Sequence, residues 1–78
     1  MKDSNVDIVA IKQRLKEEIF NSGLTKSEIA HRVGVSPEMI TQYMTTKKLP
    51  RLDTFARLCK ALDVSADYIL GTDHGLGQ

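Results

Sequence analysis

The chain has no tryptophan, one cysteine, two prolines and, among 78 residues, only Phe20, Tyr43, Phe55 and Tyr68 as aromatics. Cys59 alone cannot close an internal disulfide, so a reducing cytoplasm is the expected setting. No apolar run approaches the ~20 residues a bilayer span needs, and no membrane partner is expected. The N-terminal "MKDSNVDIVAIK" lacks the apolar stretch of a signal peptide. No run alternates apolar and polar residues for long, which removes the strand signal. Repeats and low-complexity segments are absent as well. His31 and His74 stand far apart with one cysteine between them, which is not a metal-ligand spacing. Glu17 with Glu18 and Asp63 with Asp67 are acidic pairs that a chain this small gives no pocket, and no glycine-rich phosphate loop occurs. The expectation is therefore no enzyme, no cofactor, no metal and no small-molecule substrate.

What is present is enough for one small domain. Apolar residues make up 41% and charged residues 27%, a globular and not a disordered composition. The net charge of +1 is uneven. From Lys26 to Arg51 the bases are Lys26, Arg32, Lys47, Lys48 and Arg51 against Glu28 and Glu38, a local balance of +3 that leaves −2 elsewhere. A weakly positive face of that kind suits a nucleic-acid module without proving one.

Helical periodicity occurs five times. The first helix is expected over residues 6–21, with Ile8, Ile11, Leu15 and Ile19 as an inward stripe, Lys12, Arg14 and Lys16 on the other side, and Gly23 as its left-handed cap. The second opens at Thr25 with Glu28 as a capping box, turns Ile29, Ala30 and Val33 inward and ends at Gly34. The third has Ser36 as N-cap, Pro37 at the first position and Ile40 and Met44 inward. Tyr43 packs at its edge. After the basic "TTKKLPR", a fourth helix over 52–62 turns Leu52, Phe55, Leu58, Cys59 and Leu62 inward. Cys59 reads there as a buried small hydrophobe. Ser65 caps a last short helix anchored by Ile69 and Leu70. Residues 1–71 read as the domain. Residues 72–78, in the glycine-rich "GTDHGLGQ", read as a flexible tail or the start of a linker to a further domain.

The three-residue, glycine-containing turn Gly34-Val35-Ser36 between two short helices is what a helix-turn-helix requires. A protruding helix of about 10–12 Å diameter fits the major groove of B-DNA, about 12 Å wide. The ordered set "LTKSEIAHRVGVS", Ile40, Lys47, Pro50 and "LCKALDVSADYILG" resembles the phage-repressor-like (Cro/XRE-type) helix-turn-helix regulators over about residues 8–71. The resemblance implies an all-α, lambda-repressor-like fold of five compact helices. It further implies a transcriptional regulator of double-stranded DNA, a repressor on a near-palindromic operator, acting as a homodimer.

Carried over position by position, the resemblance makes Ser36, Pro37, Glu38, Thr41 and Gln42 the base-contacting face. Lys26, Thr45, Thr46, Lys47, Lys48 and Arg51 become the phosphate contacts. Tyr68, Ile69 and Leu76 are the candidates for an apolar dimer patch. Departures from the family pattern carry their own expectations. Ile19 and Met44 stand where members have an Arg–Glu pair, which suggests an apolar contact in its place. Thr46 replaces a loop glycine, Lys26 replaces a glutamine, and Pro37 removes one base reader. A protein-interaction module of the same fold, such as an antitoxin or adaptor, is the competing reading. An isolated DNA-binding domain of a larger regulator is a third.

Overall fold

The computed structural model describes residues 6–72. Five helices follow one another: α1 (Ile8–Asn21), α2 (Lys26–Val33), α3 (Pro37–Thr45), α4 (Leu52–Leu62) and α5 (Ala66–Leu70), with no strand among the described residues. The all-α, five-helix order is the one the sequence implies.

Short polar side chains set four of the five starts. The Asp7 carboxylate accepts the Ala10 N–H at 3.0 Å, so α1 begins two residues later than residue 6. The Thr25 hydroxyl accepts the Glu28 N–H at 3.0 Å while Glu28 accepts the Thr25 N–H at 2.8 Å, completing the capping box of α2. Ser36 accepts from Met39 N–H and Ser65 from Tyr68 N–H. Only α4 starts without a side-chain cap, at Arg51. At the C-terminal ends, Gly34 takes φ +87° and lets the chain turn directly from α2 into α3. Ser22, not Gly23, is the C-cap of α1, and Gly23 turns the chain one residue later at φ +78°.

Four of these helices have five to eleven residues and cannot stand alone in water. They persist because α2 packs on α3 and α4, while α1 packs on α3 and α5. Leu15, Ile29, Val33, Ile40, Leu58 and Ile69 are enclosed at the centre. Each such side chain contributes about 1.5–3 kcal/mol by leaving water. Tyr43, Phe55 and Cys59 close the cluster, with Met39, Met44 and Leu62 half-buried against it.

Three residues expected inward lie outside. Ile8 is 44% exposed, Leu52 81% and Leu70 37%. Each is the first or last residue of its helix, where the apolar stripe runs past the element that covers it. With Val6, Leu49 and Phe55 they line an apolar groove of about 250 Å³. Ile69 is corrected in the other direction: it is fully buried and cannot belong to an exposed patch. Leu76, and all but Thr72 of the expected tail, lie outside the described residues.

Ile19 is buried and Met44 is half-buried against the same cluster, so both positions are apolar where an ion pair was the alternative. Ile19→Arg places a guanidinium without a partner in that core. The expected loss is about 3–5 kcal/mol, a large part of the total stability of a small domain. Urea unfolding followed by circular dichroism checks this, and an unchanged midpoint would exclude the apolar pairing.

Candidate nucleic-acid interface

One face of α3 is sealed: Ile40 and Tyr43 are buried, and burial raises the Tyr43 phenol above its usual 10.0. The opposite face carries Glu38, Thr41 and Gln42 at helical i, i+3, i+4 spacing, with Pro37 beside them at the first position. Pro37, Glu38 and Gln42 are exposed and Thr41 is half-buried. No described hydrogen bond or ion pair occupies the Glu38 carboxylate or the Gln42 amide. Ser36 has its Oγ engaged as the α3 cap at 3.2 Å from Met39 N and retains its own O–H as a donor.

The structure joins Ser36 through Lys48 into one continuous stretch. The Thr45 hydroxyl donates to Thr41 O at 2.8 Å and the Thr46 hydroxyl to Gln42 O at 2.7 Å. Thr46 Oγ1 then accepts the Lys48 N–H at 3.1 Å. At Thr46 the backbone is extended (φ −123°, ψ −178°), a conformation open to any residue, so this loop has no need of glycine there. Lys47, Lys48 and Arg51 are exposed, and Arg51 makes only a long surface contact of 3.8 Å with Asp53. Lys26 stands apart, exposed at the first residue of α2, an eight-residue helix about 12 Å long, at the end away from the turn.

Two residues of α1 read as solvated charge turn out to be ties. Lys12 Nζ donates to Tyr43 O at 2.7 Å and also to Lys48 O. Arg14 Nε donates to Ile69 O at 2.9 Å, and its guanidinium lies against Gly71. Each cation meets a carbonyl in the last turn of another helix, where the dipole favours positive charge. Partial burial lowers the Lys12 ammonium below its usual 10.5. Their partners are backbone atoms, so residue identity at the far end offers no signal for them.

Other chemistry is sparse. Burial pushes the Cys59 thiol above its usual 9.0, which keeps it protonated at neutral pH. Among the described residues no three of His, Cys, Asp and Glu come together to hold a metal ion. No described helix is long and apolar enough to cross a membrane.

With this geometry in place, the comparisons are specific. A helix-turn-helix family profile matches residues 11–69. The HTH-type transcriptional regulator ImmR of Bacillus subtilis (strain 168) is 31% identical over 65 residues, which are 83% of this chain and 51% of that protein. The uncharacterized HTH-type transcriptional regulator YobD of the same organism is 36% identical over 59 residues, 76% of this chain and 53% of that protein. The chain thus spans about half the length of these relatives. No solved structure gives a significant match.

The Thr25 backbone N–H, then the Thr25 side chain, hold the Glu28 carboxyl below its usual 4.5, with a smaller pull from Arg32. A carboxyl depressed on folding adds stability above its unfolded pKa and loses it as pH falls through the folded value. Thermal melts from about pH 7 to about pH 3 should therefore fall less steeply below pH 4.5 for Glu28→Gln than for the parent chain.

Proposed function

The chain belongs to the phage-repressor-like (Cro/XRE-type) helix-turn-helix family, and from that premise we propose that it is a sequence-specific transcriptional regulator of double-stranded DNA, a repressor acting in the cytoplasm. One observation carries this reading. α3 buries Ile40 and Tyr43 and holds Glu38 and Gln42, whose side chains have no hydrogen-bond partner among the described residues, on the other side. A rigid helix with free, polar, directional groups has the form that reads base edges in a major groove.

The roles follow from side-chain chemistry. The Gln42 amide pairs bidentately with adenine, and the Glu38 carboxylate accepts from a cytosine amino group. Glu38 also complements the α3 dipole from the first turn. Ser36 and Thr41 offer hydroxyls, and Pro37 offers apolar contact without a donor. Lys47, Lys48 and Arg51 bind phosphates, joined by Lys26 at the α2 N-terminus, where free N–H groups also favour an anion. Thr45 and Thr46 donate to a phosphate only by giving up their bonds to Thr41 O and Gln42 O, so the charged neighbours carry that contact.

The operator is near-palindromic and the protein binds it as a homodimer, two-fold symmetry matching two half-sites about one helical turn apart. The apolar groove with Leu52 and Leu70 supports that face as the dimer surface, and the half-exposed Tyr68 lies on another side of α5. Leu52→Asp should leave the stability of the dilute monomer unchanged and weaken dimerisation about tenfold or more, because Leu52 is exposed in the monomer. Sedimentation equilibrium reads that shift. Equal dimerisation by both proteins would move the interface elsewhere.

Selection of bound duplexes from a random library tests the main reading. An enriched inverted repeat is expected. A single enriched half-site would instead point to a monomer, as for the isolated domain of a larger regulator. Absence of enrichment would favour the protein-interaction module. On the enriched site, Gln42→Ala should relax discrimination at one base position by about 1–3 kcal/mol. Reversing charge with Lys47→Glu and Lys48→Glu should weaken binding to all duplexes alike and flatten its salt dependence.

A further inference from the structure

We propose that Lys12, on α1 and outside the base-reading surface, is a positioning residue for DNA binding. It is the tie that sets the phosphate-binding loop against the recognition helix. This rests on the DNA-binding reading above. The Lys12 ammonium donates at 2.7 Å to Tyr43 O, in the last turn of α3, and also to Lys48 O, in the basic loop. One charged group therefore joins three elements separated in sequence by 31 and 36 residues.

The loop has few other restraints. Besides Lys12, the Thr46 hydroxyl holds Lys48 N–H, and Lys47 and Lys48 point their side chains into solvent. Without the ammonium, Tyr43 O and Lys48 O lose a shared partner, and the loop is free to sample positions in which its lysines miss the phosphates. Ordering the loop on DNA then costs affinity that the parent chain has already gained by folding. Lys12 itself is half-buried. Its three donors are well suited to two carbonyls at once.

The effect must be carried by the loop lysines, and this separates positioning from a direct phosphate contact or a general loss of fold. Affinity for the enriched duplex would be measured against salt concentration for the parent chain, Lys12→Met, Lys47→Ala with Lys48→Ala, and the triple variant. Circular dichroism would confirm that each is folded at the temperature used. Lys12→Met should bind about tenfold more weakly, with a salt slope lower by about 1–2, because each lost phosphate contact removes about 0.9. In the background lacking both loop lysines, Lys12→Met should cost almost nothing further. Lys12→Arg, which keeps a cation that can reach carbonyls, should recover most of the loss.

Additive losses in the triple variant would overturn the proposal and make Lys12 a phosphate contact in its own right. Unchanged affinity in Lys12→Met would overturn it too. If Lys12→Met does not fold, Lys12→Gln is measured in both backgrounds instead: a loss confined to the background with the loop lysines supports the tie, and a loss of equal size in both refutes it. Failure of the parent chain to bind any duplex is a different result, and it strikes the DNA-binding reading itself.

Discussion

Short helices have an end problem, and this domain is organised around it. A helix leaves four N–H and four C=O groups without intrahelical partners, whatever its length. In α5, with five residues, such groups are most of the backbone's polar groups, and in α2, with eight, they are half. The N-terminal ends are met locally by Asp7, Thr25, Ser36 and Ser65. The C-terminal ends are met partly by left-handed turns at Gly34, Asp63 and Gly71, and partly from a distance by α1. Lys12 reaches the end of α3 and Arg14 the end of α5. The longest helix thus braces two shorter ones with charge as well as with its apolar stripe of Ile11, Leu15 and Ile19.

That arrangement explains how a helix of nine residues keeps a fixed attitude. Ile40 and Tyr43 bury one side of α3, Ser36 fixes its start, and Lys12 and Thr46 fix its end. What the fold leaves unengaged is a strip of side chains with directional hydrogen-bonding groups. The position of that strip is set by residues that never touch a ligand, and its chemistry is set by residues that contribute little to folding.

Much of this was legible in the sequence because its signals are local. Thr25 with Glu28, Ser36 with Pro37, Gly34 and Ser65 each mark an end within a few residues of the groups they satisfy. The interior positions Leu15, Ile29, Ile40 and Leu58 follow from periodicity. Periodicity misplaced Ile8, Leu52 and Leu70 because it assigns a residue to a face and is silent about where the covering helix stops. Lys12 and Arg14 were hidden for another reason. They bond to backbone carbonyls 31 to 55 residues away, and a carbonyl looks the same under every side chain. For the candidate interface, the residue types on the α3 surface were legible. It did not reveal that the Thr45 and Thr46 hydroxyls turn back onto α3.

The freedom of Glu38 and Gln42 has a consequence for the history of such a protein. Neither side chain has a hydrogen-bond or ion-pair partner among the described residues, so replacing Gln42 removes no such bond, and replacing Glu38 removes only its interaction with the α3 dipole. If α3 reads bases as proposed, mutations there are close to invisible to selection for stability and fully visible to selection for target choice. Most other positions on α3 are bound by packing or capping and can change only slowly. A lineage built this way can acquire new binding sites one substitution at a time without passing through unfolded intermediates. Its divergence should concentrate on that one narrow strip.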